Sequence, residues 1–73
     1  MKIKILFFGS LKDQMKQESL ELDIAEKSSL NDILKELKIQ KTFLCAVNQV
    51  ESSLNQSLTD GDEVALMPPF SGG

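Results

Sequence analysis

Apolar and polar residues alternate along Lys2-Ile3-Lys4-Ile5-Leu6-Phe7-Phe8, which places Ile3, Ile5 and Phe7 on one face of a strand and Lys2, Lys4, Leu6 and Phe8 on the other. The first face is assigned to the core. Phe8 is then either a contact residue or a side chain covered by a helix or by the end of the chain, because a large aromatic facing water usually binds something. Gly9-Ser10 ends the strand, and Leu11 and Met15, four apart, predict a short helix over Leu11 to Gln17. Alternation returns over Ser19 to Ile24, with Leu20, Leu22 and Ile24 inward, so this segment reads as a hairpin partner of the first strand. The period then changes. Leu30, Ile33, Leu34 and Leu37 fall at i, i+3, i+4 and i+7, the single apolar stripe of a helix packed on the core. Ser29 stands at its N-cap with Asp32 three residues on, Lys35, Glu36 and Lys38 face water, and the helix ends near Lys38-Ile39. A third strand is predicted over Phe43 to Asn48, with a turn at Asn48-Gln49. Leu54 and Leu58 anchor a crossing segment. Thr59-Asp60-Gly61-Asp62 forms a tight turn with Gly61 at positive φ, and Glu63 to Met67 is the last strand.

The order is therefore β-β-α-β-β, with short helical or irregular pieces between and neither a repeat nor a linker. A lone helix on one face of a mixed sheet is an α+β arrangement that a chain of this size can just build. The first and last strands are separated by a long crossover and are expected side by side at the centre as a parallel pair. That is a β-grasp, or ubiquitin-like, fold, with a mixed sheet of four to five strands and one main helix packed on one face.

The folded domain is expected over residues 1–67. Residues 68–73, Pro68-Pro69-Phe70-Ser71-Gly72-Gly73, are expected to form a flexible tail. Gly72 and Gly73 have no side chain and wide φ/ψ freedom, so they can pass a channel too narrow for other residues. Pro68-Pro69 fixes φ and sets the direction of exit. Fully extended, Phe70 to Gly73 reach roughly 13–14 Å, enough to carry the terminal carboxylate into a partner's pocket.

Composition narrows the chemistry. Seventy-three residues make one domain. There is no His, and Cys45 is the only cysteine, so metal sites built on His or paired Cys are excluded, as is an internal disulfide. No metal and no cofactor is expected. A single Cys without a secretory leader points to the cytoplasm. The longest apolar run, Ile5 to Phe8, is too short for a membrane span. Eleven acids against eight lysines give a net charge of −3, which argues against nucleic acid and favours a partner with a basic docking surface. Cys45 reads as a small core residue rather than a sulfur shuttle, since nothing nearby in sequence lowers its pKa. Phe8, Met67 and Phe70 are candidates for an apolar docking patch, Met67 being equally consistent with core. Asp60, Asp62 and Glu63 read as a solvated turn in preference to a charged docking contact.

Lys4-Ile5-Leu6-Phe7-Phe8, Ala46-Val47-Asn48-Gln49, and Leu58-Thr59-Asp60-Gly61-Asp62-Glu63-Val64-Ala65 leading into Pro68-Pro69-Phe70-Ser71-Gly72-Gly73 together resemble the small subunits of molybdopterin synthase over the whole chain. Phe70 is bulkier than the small aliphatic residue usual there, and the chain is short between helix and third strand. The resemblance implies a sulfur carrier. A ubiquitin-activating-type adenylyltransferase would use ATP to activate the Gly73 carboxylate, and a sulfur donor would convert it to a thiocarboxylate. The large subunit of molybdopterin synthase would then receive the tail, with Gly72 giving clearance and Phe8, Met67, Pro68, Pro69, Phe70 and Ser71 contacting the partner. Sulfur would pass to cyclic pyranopterin monophosphate, in a heterotetramer whose catalytic groups lie on the large subunit. Related sulfur carriers for thiamin thiazole share the Gly-Gly but usually lack Pro-Pro. A ubiquitin-like protein modifier and an interaction module with an inert tail remain alternatives.

Overall fold

The computed structural model describes residues 1–39 and 44–67. Five strands and two helices follow one another as β1 (Lys2–Phe7), α1 (Ser10–Met15), β2 (Ser19–Asp23), α2 (Leu30–Glu36), β3 (Leu44–Val47), β4 (Val50–Ser52) and β5 (Glu63–Met67). The strands form one sheet in the order β2-β1-β5-β3-β4. β1 and β5 run parallel at its centre, and the other pairs are antiparallel. The expected α+β β-grasp is the fold found. The expected start of the third strand at Phe43 lies outside the described residues, as do Pro68, Pro69, Phe70, Ser71, Gly72 and Gly73.

Alternation along each strand separates two faces. Ile3, Ile5 and Phe7 of β1, Val64 and Leu66 of β5, and Cys45 and Val47 of β3 all point to the side covered by α2. They pack with Leu30, Ile33 and Leu34 of the helix stripe and with Leu11, Ile39 and Leu58. Leu20, Leu22, Ile24 and Leu37 close the margins of this cluster. Cys45 is 1% exposed within it, and burial pushes its thiol pKa up, so the side chain is a packing element and not a ready thiolate.

Helix α2 begins where its orphan N–H groups find acceptors. The Asp32 carboxylate accepts from the Ser29 N–H at 2.8 Å and from the Ser29 hydroxyl at 3.2 Å. The crossing segment supplies the rest: Leu30 N–H donates to the Gln56 carbonyl and Asn31 N–H to the Leu54 carbonyl. Leu58 N–H returns the contact to Ser28 O at 2.9 Å. The segment is thus tied to the helix start by backbone bonds as well as by Leu58 in the core.

Ile5 is fully buried, with Leu20 and Val64 as its cross-strand partners. Ile5→Ala is expected to cost about 2–5 kcal/mol, read as a lower urea midpoint at unchanged slope. A loss below about 1 kcal/mol would mean that the central strands close over the gap.

Candidate functional site

The chain continues past Met67 into its Gly-Gly end, so the site is built around the exit of β5. Two turns aim that strand. The Thr59–Asp62 turn opens it: Asp62 accepts from Thr59 N–H at 2.8 Å, from the Thr59 hydroxyl at 3.0 Å and from the Asn48 side-chain amide at 3.0 Å. Asn48 in turn accepts from Glu63 N–H at 3.0 Å through its own side-chain oxygen. Asn48 and Gln49 both have positive φ, at 51° and 71°, the twist that matches a two-residue hairpin between β3 and β4. One carboxylate therefore joins the turn before β5 to the turn after β3.

The same loop holds β1. Asp60 accepts from Lys2 N–H at 2.7 Å, Gly61 N–H donates to Lys2 O at 2.8 Å, and Lys4 N–H donates to Asp62 O at 3.0 Å. Gly61, at φ 88°, supplies the conformation this closure needs. Asp60 is exposed and Asp62 partly so, in line with the solvated-turn reading, and both carboxylates also hold the turn through internal bonds. They precede β5, whose five residues put Glu63 about 13 Å from Met67 at the far end of the strand. Sequence reasoning missed Asn48 as the connector because a side chain bonding across the fold leaves no periodic trace.

The uncovered face of the sheet has two parts, read from strand register. Near the start of β5, Lys4 lies between Glu21 and Glu63 on the neighbouring strands. Toward its end the face is apolar. Met67 pairs with Leu44, Ala65 with both Leu6 and Ala46, and Phe8 follows the Phe7–Leu66 pair with its N–H bonded to Leu66 O at 3.1 Å. Phe8 is 46% exposed and Leu44 52%. Neither Phe8 nor Met67 belongs to the core cluster, so the fold brings these two sequence candidates together on the open face beside the exit of β5. Leu44 joins them. Its signal was the alternation Leu44/Ala46 against Cys45/Val47, readable only once the direction of β3 is known. Phe70 and the remaining tail candidates, Pro68, Pro69, Ser71, Gly72 and Gly73, lie outside the described residues.

Among the described residues no helix is long and apolar enough to cross a membrane. The family model described as ThiS family matches residues 5–73, from the middle of β1 to the last glycine. The chain belongs to the ThiS family. The molybdopterin synthase sulfur carrier subunit of Chlamydomonas reinhardtii is 30% identical over the full length of both chains. Among solved structures, SAMP1 from Haloferax volcanii superposes with a TM-score of 0.85 at 20% identity, covering all of both chains, a likeness of fold. A chain in the complex of subunits 1 and 2 of molybdopterin-converting factor from Helicobacter pylori matches at TM-score 0.65 and 29% identity, again over all of both chains. In this ThiS-family member the strand that precedes the Gly-Gly sequence carries Ala65 and Met67 on its outer side.

The Thr59 N–H holds the Asp62 carboxyl below the ordinary value of 3.8. Its folded-state pKa is depressed, so its contribution is present above the unfolded value and is lost as pH falls through the folded one. Asp62→Ala is expected to cost about 1–2 kcal/mol at neutral pH. The gap from the unsubstituted protein should narrow in acid below 3.8. Urea titrations at both pH values measure this, and a gap that does not depend on pH would remove the carboxylate from the latch.

Proposed function

We propose that this chain is a sulfur carrier, the small subunit of molybdopterin synthase. The observation that carries the reading is the apolar outer face at the end of β5, contiguous with a family-matched Gly-Gly terminus. The name of the Chlamydomonas relative and the two-subunit Helicobacter complex support it. Residues 1–67 act as the handle and residues 68–73 as the flexible tail, with the cytoplasm as the expected compartment.

The chemistry follows from what a carboxylate lacks. Its charge repels nucleophiles, so Gly73 first attacks the α-phosphorus of ATP on a ubiquitin-activating-type adenylyltransferase, releasing pyrophosphate. A sulfur donor then displaces AMP from the acyl-adenylate and leaves a thiocarboxylate. Its sulfur is ionised at neutral pH and nucleophilic, as a thiolate is. On the large subunit this sulfur is transferred to cyclic pyranopterin monophosphate, and hydrolysis regenerates the carboxylate. Each chain carries one sulfur, so a dithiolene consumes two charged chains.

Catalytic stabilisation belongs to the partners, since the chain contains neither His nor Arg. Gly73 holds the reacting atom and Gly72 gives clearance. Pro68 and Pro69 direct the exit. Phe70 and Ser71, with Phe8 and Met67 of the outer face, contact the receiving subunit.

The protein isolated from its own cells is expected to contain a fraction heavier by one oxygen-to-sulfur exchange at Gly73, seen by intact mass spectrometry. Deleting Gly72-Gly73 should abolish that fraction, and Gly72→Ala should reduce it. Gly73 found instead in isopeptide linkage to lysines, with no thiocarboxylate, would make the chain a protein modifier.

A further inference from the structure

The β4 edge of the sheet is open. β4 stands last in the order β2-β1-β5-β3-β4, and no strand pairs with its outer side among the described residues. The β3–β4 hairpin turns on Asn48 and Gln49, so Val47 and Val50 form its first hydrogen-bonded pair. Glu51, next along, therefore turns its N–H and carbonyl outward, and among the described residues no other backbone group engages them. Val50 faces the same side of the sheet as its partner Val47, yet it is 65% exposed and stands outside the core cluster. A groove of about 570 Å³ runs beside it, lined by Val47 and Val50 from the strands and by Ser53, Gln56 and Ser57 from the crossing segment. The charged residues of that lining, Glu51 and Asp62, are both acids. Glu51 forms no ion pair among the described residues.

We propose that β4 takes up an extended segment of a partner protein as an added strand, and that this segment bears an aliphatic residue next to a lysine or arginine. The outward N–H and carbonyl of Glu51 supply main-chain bonds that any extended segment can make, so the side chains select the occupant. Neighbouring strands meet side chain to side chain on each face, and successive residues of one strand alternate between faces. Val50 and Glu51 therefore face consecutive residues of the incoming strand. The first is aliphatic, because it covers the exposed Val50 and the Val47 side of the groove. The second is basic, because it meets a carboxylate without an ion pair on a chain of net charge −3. The same carboxylate opposes edge-to-edge pairing with a second copy, since two Glu51 side chains would approach one another. The site is also separate from the tail. Val47 pairs with Val64 near the start of β5, whereas Met67 at its end leads into the tail, so a segment bound along β4 leaves that exit uncovered. The inference goes beyond the sulfur-carrier reading and stands on the edge strand alone.

The probe is the capped peptide acetyl-Val-Lys-Val-Lys-Val-amide, with acetyl-Val-Glu-Val-Glu-Val-amide as its charge-reversed control. Each is titrated to millimolar concentration into the isotope-labelled full-length chain, and backbone amide shifts are followed by NMR, which also reports the fold of every variant. The lysine peptide is expected to give saturable shifts centred on Val50, Glu51 and Ser52 and to slow exchange of the Glu51 amide proton, and the glutamate peptide to give neither. Glu51→Lys should weaken binding of the lysine peptide by about fivefold or more at low salt, the deficit shrinking as salt is raised. Val50→Ser should weaken it at every salt concentration, because it removes apolar contact and no charge. Glu36→Lys, an equal charge change at an exposed position of α2, should bind as the unsubstituted protein does. A lysine peptide that leaves the β4 amides unmoved overturns the proposal, as does an equal response to both peptides. Shifts gathered instead at Phe8 and Leu44 would place the peptide on the other face and overturn it too. Shifts at β4 that depend on protein concentration without peptide would assign the edge to a second copy, with the same consequence.

Discussion

The parallel contact between β1 and β5 is the constraint on which the rest of this structure depends. These strands come from opposite ends of the folded domain, and no local turn can join them, so everything between has to serve as a crossover. Their register is set at one end by a single loop: Asp60 and Gly61 bind both backbone groups of Lys2, and Asp62 O receives Lys4 N–H. A slip of one residue would turn Val64 and Leu66 outward and bury Ala65 and Met67 in their place. The core would lose two of its best-packed side chains, and the outer face would lose Met67 from its apolar end. The same few hydrogen bonds therefore hold the core together and shape the surface opposite.

This dual use explains how the charge is distributed. The chain is acidic, yet several of its acids are engaged internally. Asp32 serves the first turn of α2, Asp60 holds β1, and Asp62 joins two turns. Each accepts backbone N–H groups, which is what short carboxylates do at helix starts and tight turns. The open face also carries Glu21 and Glu63 beside Lys4, Asp23 opposite Lys2, and Glu51 at the β4 edge. The internal bonds leave Asp32, Asp60 and Asp62 at the surface and favour the ionised form of Asp32 and Asp62, so these aspartates still contribute to the acidic surface.

What could be read from the sequence follows the same division. Ile3, Ile5 and Phe7 announced β1 through period two, and Leu30, Ile33 and Leu34 announced α2 through period 3.6, because burial on one side imposes those periods. The turns at Asn48-Gln49 and Thr59–Asp62 were legible because their backbone angles demand particular residue types. β4 was not legible. Val50–Ser52 is too short to display alternation, and Val50 is exposed although it pairs with the buried Val47. The internal bonds of Asp60 and Asp62 were not legible for another reason: their partners, Lys2 and Asn48, are distant in sequence. Phe8 and Met67 could be nominated for the site, but Leu44, Ala46 and Ala65 joined it only through the register of three strands. The tail's chemistry was carried by two glycines, whereas the surface that would bring it to a partner is a property of the fold.

That separation has an energetic logic. A Gly-Gly sequence offers a partner almost no side-chain area, and glycine backbone loses more entropy than any other when it is fixed. An apolar patch beside the exit of β5 changes the order of events. Once the domain is seated, entry of the tail becomes intramolecular, and its effective concentration is set by a short tether instead of by the amount of protein in solution. On the proposed reading the patch would supply the affinity and the glycines only access. A carrier that must be released after delivery gains from this arrangement, because affinity can be tuned on the face of the sheet without adding bulk to the chain that enters the active site. The apolar end of that face, where Phe8 and Leu44 are exposed beside Met67, is where such tuning would act.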